Sequence, residues 1–258
     1  MDILVCVKRV PDPSENEIQL NRAGNDIEKD DLVYSVNEWD NYAVEEAIQI
    51  ADKVDGSVTV ISIGSEEDED ILRREMAMGA ANGVLLSDDA FESYDGRKIA
   101  AILSAYITKN KFDLILCGAQ SEEGAAQVGG MLAAFLDLPY ASLVNLIEVK
   151  DDQKLKIGRE IEGGNQEISD IELPCVLSIQ TGINEPRYVS IRGIRKVASV
   201  EIPTFSAADI GFNDSGILVN KLEYFQPELG EGAEMLEGST EEMAEKLAEL
   251  LKAKGGIK

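Results

Sequence analysis

The first half of the chain alternates short apolar runs with amphipathic segments. Residues 3–7 form a continuous β-branched apolar run, which is typical of a strand buried in a parallel sheet. Similar runs predict strands at residues 58–63, 83–86 and 112–117. Helical periodicity predicts helices after Asn37 and at residues 68–78, 97–108 and 127–136. This order predicts an α/β fold with a doubly wound, mostly parallel sheet, whose ligands bind beyond the carboxyl ends of its strands.

Local signals mark the ends of the first helix. Asn37 is a typical N-cap residue with Asp40 three positions later, and Gly56 follows the last apolar residue of the periodic stretch, Val54. The polar stretch at residues 11–31, which precedes this helix, predicts a loop or an exposed hairpin.

The pattern changes after Pro139. Residues 142–149, 154–161, 166–171 and 176–180 have strand-like patterns, and no helical segment separates them. Turn residues occur between them at Asp151-Asp152 and at Gly163-Gly164. We therefore expect antiparallel additions to the sheet.

The end of the chain is predicted to be an arm. Periodicity disappears from about residue 203 and returns in a helix that begins at Ser239, with Glu242 completing a capping box. The helix has an apolar stripe formed by Met243, Leu247, Leu250 and Leu251, and Gly255 ends it. We predict an α/β domain at residues 1–205 and an arm at residues 206–258. So long an irregular stretch is unusual within one domain, so the arm either packs on another chain or is a loosely tethered tail.

Composition narrows the possible functions. The 258 residues contain no histidine, and 24 Lys and Arg against 49 Asp and Glu give a formal charge of −25. A chain without histidine has no Ser-His-Asp triad, Cys-His dyad, HExxH zinc site or haem-ligating histidine. Nucleic acids and anionic lipids repel such a charge, so neither is an expected partner. No apolar run approaches the roughly 20 residues of a membrane span, so no membrane insertion is expected.

The cysteines indicate the compartment. Cys6, Cys117 and Cys175 are odd in number, form no CxxC motif and lie in apolar runs. We expect reduced core residues in a cytoplasmic protein. No carboxylate pair, Ser, Thr or Lys stands out as a catalytic group, and no catalytic or metal-binding residue is predicted.

The turn after the fourth predicted strand is a candidate anion site. It reads Gly118-Ala-Gln-Ser-Glu-Glu-Gly124-Ala-Ala-Gln-Val-Gly129-Gly130 and leads into a helix. Small residues let a phosphate approach the backbone N–H groups and the helix N-terminus. Neither GxGxxG nor GxxxxGK[ST] occurs, and a plain strand–helix connection explains the turn as well. Glu122 and Glu123 also carry the wrong charge for a phosphate site.

A basic segment interrupts the acidic chain. Arg187, Arg192, Arg195 and Lys196 lie within ten residues, with no acid at residues 186–196 and with Ile191 among them. Arginine beside an exposed apolar residue is typical of a docking surface. The alternative is that these cations pair with the many carboxylates of the protein, at about 0–1 kcal/mol per surface pair.

Six segments carry a resemblance to a known family. They are VCVKRVPD at 5–12, SVNEWDNYAVEEA at 35–47, MAMGA at 76–80, AAQVGG at 125–130, REIEGG at 159–164 and NEPRY at 184–188. In this order and spacing they resemble the beta subunit of electron transfer flavoprotein. The C-terminal MLEGSTEEMAEKLAELLK is similar as well, so the resemblance covers almost the whole chain.

The resemblance implies a heterodimeric electron carrier. The family's beta subunit supplies one α/β domain, and its arm packs on the alpha subunit, which holds most of the redox-active FAD. The beta subunit buries AMP, or a second FAD in electron-bifurcating members, and docks on acyl-CoA dehydrogenase-type flavoenzymes. It performs no bond chemistry of its own, because the flavin supplies the redox chemistry.

Carried over by position, the resemblance implies two sets of site residues. The nucleotide-binding set is Cys6, Asn37, Ile63, Gln120, Ser121, Gly124, Ala125, Ala126, Gln127 and Val128. The partner-docking set is Tyr188, Ile191, Arg192, Arg195 and Lys196, with Ile191 as the apolar anchor. Arg159 and Glu160 are implied to lie near the flavin side of the subunit interface.

Two departures from the family concern the choice of nucleotide. The phosphate turn SEEGAAQVGG is one residue shorter than in many members, and Pro11 and Pro13 stand where some members have an aromatic residue. We expect AMP in this subunit and FAD shared with the alpha subunit. The alternatives are an electron-bifurcating subunit with a second FAD and, in another class, a stand-alone nucleotide-binding regulator of the universal stress protein type.

Overall fold

The computed structural model describes residues 1–92, 95–122, 124–213, 216, 218–219, 222–227, 230, 232–233 and 235–256. Its strands are β1 (Asp2–Cys6), β2 (Arg9–Pro11), β3 (Tyr34–Val36), β4 (Ser57–Ile63), β5 (Asn82–Leu86), β6 (Leu114–Gly118), β7 (Tyr140–Asp151), β8 (Lys154–Ile161), β9 (Asn165–Glu172), β10 (Cys175–Ile179) and β11 (Thr204–Phe205). Its helices are α1 (Glu38–Val54), α2 (Glu69–Met78), α3 (Gly96–Lys109), α4 (Val128–Leu136), α5 (Ile191–Val197), α6 (Ala207–Ile210) and α7 (Thr240–Ala253). Within these ranges, no helix is both long and apolar enough to span a bilayer.

One large sheet organises the chain. Its nine strands run in the order β11-β5-β4-β1-β6-β10-β7-β8-β9. Pairing is parallel from β11 to β7 and antiparallel from β7 to β9. This confirms the predicted α/β fold with antiparallel additions. The chain runs outward from β1 to β5 and then returns to β6 on the other side of β1, so β1 and β6 flank the switch point where such sheets bind ligands.

Helices cover both faces of the sheet. Ile3 and Val5 of β1 face the core formed with α1 and α2, whereas Leu4 and Cys6 face α3 and α4. All four side chains are buried. Burial on both faces explains why this strand is a continuous apolar run instead of an alternating one.

β10 is a central strand, and its prediction as an antiparallel addition is wrong. It pairs in parallel with β6 on one side and with β7 on the other. All five of its residues are buried. Its position after the three antiparallel strands β7, β8 and β9 suggested a further antiparallel strand, but its mostly apolar sequence is typical of a strand buried on both faces.

The glycine after α1 has a different role from the predicted one. Asp55 takes the left-handed conformation at the end of the helix, with a φ of 52°. Gly56 is required for space, because a Cβ atom there would lie 2.6 Å from the carbonyl oxygen of Met1. The glycine therefore allows the chain to enter β4 close beside the start of β1.

The last helix begins as predicted. Ser239 accepts a hydrogen bond from the Glu242 N–H group, and the Glu242 carboxylate accepts one from the Ser239 N–H group. None of the residues of α7 is buried, and its apolar stripe exposes Leu247, Leu250 and Leu251. Within the described part of the chain, this stripe packs on no core.

Residues 207–212 pack on the α/β domain. Ile210 is buried, and the Phe212 ring meets the edge of Phe91 with the ring centroids 5.8 Å apart. The Ala207 N–H group donates to the Asp88 carboxylate at 3.0 Å. The irregular part of the arm therefore follows Phe212.

Glu75 on α2 is a buried acid without a hydrogen-bond partner among the described residues. Its side chain is 0% exposed, and neither carboxylate oxygen accepts a hydrogen bond from the described residues. Burial raises the pKa of Glu75 to about 8, although the Arg74 guanidinium acts to lower it. The folded protein therefore binds this proton more tightly than the unfolded chain does.

We expect Glu75→Gln to flatten the pH dependence of stability. The folded pKa of Glu75 lies above the usual value of 4.5, so its contribution to stability is full below pH 4.5 and is lost as the pH rises toward 8. The expected loss is at most about 1.4 kcal/mol per pH unit. The measurement is the free energy of urea unfolding at pH 5, 6.5 and 8.

The exposed Glu249 on α7 provides the control for this prediction. Glu249→Gln makes the same chemical change where the carboxylate is exposed to water, and it should leave the pH dependence unaltered. Equal slopes for Glu75→Gln and the unmodified chain would show that Glu75 is ionised in the folded state.

Candidate functional site

A cavity of about 950 Å³ opens at the carboxyl ends of β1, β4 and β6. This volume lies near the top of the roughly 300–1,000 Å³ range of small-molecule sites. Its apolar floor includes Cys6, Ile61, Ile63, Leu103 and Cys117. The cavity therefore lies at the switch point of the sheet, where a ligand is expected from the topology.

Asp40 joins the ends of two strands at this cavity. Its Oδ2 accepts a hydrogen bond from the Lys8 N–H group at 2.9 Å, and its Oδ1 accepts one from the Gly118 N–H group at 2.9 Å. Burial raises the pKa of Asp40 to about 7, while these two donors act to lower it. A Cβ atom on Gly118 would lie 2.5 Å from Asp40 Oδ1, so only glycine leaves room for this arrangement.

Asn37 connects α1 to the turn that follows β6. It occupies the predicted N-cap position, but its side chain makes no capping hydrogen bond. Its amide group donates instead to the carbonyl oxygen of Gln120 at 2.9 Å. The expectation of a side-chain cap is wrong, and the amide of Asn37 holds the turn in place.

The residues at the start of α4, Ala126, Gln127 and Val128, line the cavity. Ala126 is left-handed with a φ of 51°, and Gln127 after it is right-handed at φ −102° and ψ −31°. This alternation directs successive N–H groups to one side, as in known anion-binding turns. The Gln127 side chain does not cap the helix, and the helix dipole adds positive potential here. The turn is therefore suited to a phosphate.

One acidic residue of this turn is paired with a cation. Glu122 forms an ion pair with Lys8, whose Nζ atom lies 2.7 Å from the carboxylate. The charge of Glu122 is thereby balanced at the mouth of the cavity. Glu123 lies outside the described residues.

Gly129 brings α4 close to the sheet. A Cβ atom at this position would overlap the Oγ atom of Ser178 and would lie 2.8 Å from the Sγ atom of Cys117. Ser178 is itself fixed by Tyr140, whose hydroxyl lies 2.9 Å from its Oγ atom. The N-terminus of α4 can therefore reach the cavity only because residue 129 lacks a side chain.

The structure brings the predicted nucleotide-binding residues together. The members that line the cavity are Cys6, Asn37, Ile63, Gln120, Ser121, Ala125, Ala126, Gln127 and Val128. Gly124 lies in the same turn with a φ of 67°, outside the cavity lining. Binding of a nucleotide by these residues stays a prediction.

Burial favours the protonated form of the two thiols on the cavity floor. Burial raises the pKa of Cys6 well above its usual value and that of Cys117 to about 12. Both residues are free cysteines, as is the buried Cys175. The prediction that the cysteines are buried core residues is confirmed.

One wall of the cavity was not predicted from the sequence. The Arg9 guanidinium lies 3.9 Å from the centroid of the Tyr34 ring and 3.2 Å from the Glu67 carboxylate. Ile18 and Ile27, from the stretch predicted to be a loop or hairpin, complete this wall. Apolar residues scattered in a polar stretch give no periodic signal, so their shared position is visible only in the fold.

The arm also closes part of this cavity. Tyr224 lines it, and the Tyr224 N–H group donates to the carbonyl oxygen of Gly24 at 3.0 Å. The Leu218 and Val219 N–H groups donate to Asp95 Oδ2 at 2.7 and 3.3 Å. These backbone bonds fasten the first part of the arm to the α/β domain.

The predicted docking segment contains a short helix. Helix α5 covers Ile191–Val197, and the Ser190 hydroxyl caps it by accepting from the Gly193 N–H group at 3.0 Å. Tyr188 is 90% exposed and Ile191 is 67% exposed. Arg192, Arg195 and Lys196 take part in no ion pair within the described part of the chain. They form a basic, apolar-centred surface.

Arg187 differs from the other cations of the segment. It binds the Glu45 carboxylate through two nitrogens, with Nε at 2.8 Å and Nη2 at 3.0 Å. Burial acts to raise the pKa of Glu45, but the hydrogen bonds and charge of Arg187 outweigh it and lower this pKa. Pairing with a carboxylate, the alternative interpretation of the basic segment, therefore holds for Arg187.

Arg159 and Glu160 lie beside the carboxyl end of β10. Arg159 donates to the Ser142 hydroxyl at 3.1 Å, and Glu160 accepts from the Gln180 amide at 3.2 Å. The oxygen of the same amide accepts from the Trp39 indole N–H group at 3.2 Å. These side chains lie outside the lining of the large cavity.

Comparison with known proteins points to one family. The model of the electron transfer flavoprotein domain matches residues 26–210. The electron transfer flavoprotein subunit beta of Methylophilus methylotrophus is 37% identical over 97% of this chain and 98% of its own length. That of Thermoanaerobacterium thermosaccharolyticum is 34% identical over 98% and 99%. The caffeyl-CoA reductase-Etf complex subunit CarD of Acetobacterium woodii is 35% identical over 98% and 99%. The chain therefore belongs to the electron transfer flavoprotein family, among its beta subunits.

Proposed function

We propose that this chain is the beta subunit of a heterodimer that carries electrons from acyl-CoA dehydrogenase-type or other flavin dehydrogenases to a downstream acceptor. The main observation in support of this proposal is the turn at the start of α4. Its geometry suits an anion, and it lines the large cavity at β1 and β6. The redox FAD is held mainly by the alpha subunit and supplies all electron chemistry. The heterodimer works in the cytoplasm.

AMP is the proposed occupant of the cavity. Its phosphate would accept hydrogen bonds from the N–H groups of Ala126, Gln127 and Val128, in the field of the α4 dipole. Its base would lie on the apolar floor, which includes Cys6 and Ile63. The thiols there have raised pKa values, and the chain lacks histidine. We therefore assign this nucleotide a structural role and no part in a reaction.

Co-expression with a candidate alpha subunit tests the proposal. A stable heterodimer that carries bound flavin after purification is the expected result. The absence of a complex and of bound flavin would overturn the proposed function.

A second FAD in this subunit is the alternative that two observations favour. The cavity of about 950 Å³ continues past the phosphate turn to Arg9 and Tyr34, where a ring larger than adenine has an aromatic neighbour. The relative from Acetobacterium woodii is also a subunit of a reductase–Etf complex by its name. Under this alternative, the heterodimer contains two FAD and no AMP.

The exposed arm argues against a stand-alone nucleotide-binding regulator. Its apolar residues beyond Phe212 are strongly exposed; they include Leu218, Leu222, Phe225 and Met235. Large apolar side chains exposed along one segment are typical of a protein interface. We assign it to the alpha subunit, together with the stripe of α7.

Charge reversal on α5 is expected to slow electron transfer in a salt-dependent way. The exposed Arg192 and Arg195 follow Ile191 by one and four positions on α5, so a partner with an apolar pocket and an acidic rim fits this surface. In Arg192→Glu/Arg195→Glu, the rate of reduction by an acyl-CoA dehydrogenase should fall about tenfold or more at low ionic strength. The difference should shrink as salt screens the charges.

Exposed lysines elsewhere provide the matched control. Lys111→Glu/Lys150→Glu changes the net charge equally at exposed positions outside the docking segment, and it should have a much smaller effect. Unchanged rates for the α5 variant at low ionic strength would exclude this surface as the docking site.

A further inference from the structure

Helix α5 is attached to the domain through α2. The Nη1 atom of Arg73 donates to the carbonyl oxygens of Val197 at 3.0 Å and Val200 at 2.8 Å. These oxygens lie at the last turn of α5 and just beyond it, where helical carbonyls lack partners within the helix. Arg73 is itself held by Glu69, whose carboxylate lies 2.7 Å from its Nη2 atom.

The middle of α5 rests directly on the end of α2. A Cβ atom on Gly193 would lie 2.9 Å from the carbonyl oxygen of Ala77, so the two backbones approach closely at this point. Before the helix, Arg187 is fixed by Glu45 on α1. The docking segment is therefore attached before, within and after α5.

These attachments matter because α5 is too short to be stable alone. It has seven residues, whereas isolated helices below about 12–15 residues are marginal in water. Without its attachments, the segment would have to be ordered at each docking event, and that ordering reduces affinity. A pre-formed helix avoids this loss.

We propose that Arg73 is a positioning residue for docking: by holding the carbonyl end of α5, it keeps Ile191, Arg192 and Arg195 in one fixed arrangement before a partner arrives. This inference rests on the proposed docking function of α5. Arg73 acts through the backbone of α5, and its guanidinium group forms an ion pair with Glu69.

The test compares Arg73→Gln with Arg74→Gln in the heterodimer. Both changes remove one positive charge from α2, but Arg74 is exposed and has only Glu75 as its ion-pair neighbour in the described part of the chain, at 4.0 Å. We expect Arg73→Gln to speed amide hydrogen exchange at residues 191–200 and to raise the KM of an acyl-CoA dehydrogenase for the heterodimer by roughly five- to tenfold, as for the loss of one charge-assisted hydrogen-bond pair. The kcat should stay unchanged, because no group near the cofactors moves.

Two further variants, Arg73→Lys and Gly193→Ala, test the same positioning role. Arg73→Lys retains a donor for the α5 carbonyls and should recover part of the docking. Gly193→Ala should weaken docking through the contact with Ala77 instead. If Arg73→Gln does not fold, as judged by its melting temperature, the KM values of Arg73→Lys and Gly193→Ala decide, and wild-type values in both would overturn the proposal.

Failure of this inference is distinguishable from failure of the proposed function. If Ile191→Ala leaves KM unchanged, α5 is not the docking surface and the proposed docking function fails. If Ile191→Ala raises KM while Arg73→Gln behaves like Arg74→Gln, the docking surface stands and the positioning role of Arg73 is wrong. A rise in KM that is equal for both arginine variants would assign the effect to charge and would also overturn the proposal.

Discussion

Replacing Gly129 by alanine is expected to empty the cavity of its nucleotide. The new Cβ atom would overlap Ser178 Oγ and lie 2.8 Å from Cys117 Sγ, and both partners are buried. Since Tyr140 fixes Ser178, the helix must move away from the sheet. Such overpacking costs about 1–3 kcal/mol, and it displaces the N–H groups that face the phosphate. Nucleotide affinity should fall by roughly tenfold or more.

The neighbouring glycine provides a matched control for this prediction. A Cβ atom on Gly130 would meet only the Tyr140 ring, at 3.4 Å, and alanine is the better helix former by about 1 kcal/mol. Gly130→Ala should therefore keep the nucleotide and be as stable as the unmodified chain or more so. Nucleotide content is measured after denaturing the purified heterodimer. Equal content in Gly129→Ala and Gly130→Ala would contradict the role of α4 as the phosphate site.

Removing the arm after Phe212 is expected to abolish assembly with the alpha subunit. The arm beyond this residue exposes large apolar side chains such as Leu222 and Phe225, and α7 adds an exposed apolar stripe. Ending the chain at Phe212 keeps the buried Ile210 and the Phe91–Phe212 contact, so the α/β domain should still fold. Co-purification with a tagged alpha subunit should drop to background.

A substitution within the full-length chain separates assembly from folding. Leu247→Asp/Leu251→Asp places charges on the stripe of α7 and leaves every residue of the α/β domain unchanged. It should weaken the heterodimer, while circular dichroism and the melting temperature of the isolated chain stay close to those of the unmodified chain. Undiminished assembly of both the truncated and the substituted chain would mean that the arm is a loosely tethered tail.

The central strands were predictable because burial on both faces produces a recognisable local pattern of apolar and β-branched residues. β1 and β6 contain unbroken apolar runs and β4 is rich in β-branched residues, and the positions of all three follow from the sequence within about two residues. The capping box of Ser239 is equally local. By contrast, the insertion of β10 between β6 and β7 depends on which strand it pairs with, and the position of β10 in the sequence suggested the wrong neighbour.

The site was predictable only in part, for the same physical reason. The glycine-rich turn was visible as a candidate, but its left-handed Ala126 and the close contact at Gly129 are properties of the packed helix. Arg187 and Glu45 are 142 positions apart, and Asp40 reaches the Gly118 N–H group across 78 positions. Such contacts leave no periodic signal, so the hydrogen bonds of Asp40 were not predicted, and the pairing of Arg187 was predicted only as an alternative that did not name its partner.

The central claim is that the cavity between β1 and β6 holds an adenine nucleotide against the start of α4. The most direct measurement is the nucleotide content of the purified heterodimer, released by denaturation and quantified by chromatography. Release of two FAD and no AMP would mean that the cavity binds a nucleotide and that this nucleotide is FAD. The account predicts one AMP and one FAD per heterodimer, with the AMP lost and the FAD retained in Gly129→Ala. A heterodimer that releases one FAD and no second nucleotide would contradict it.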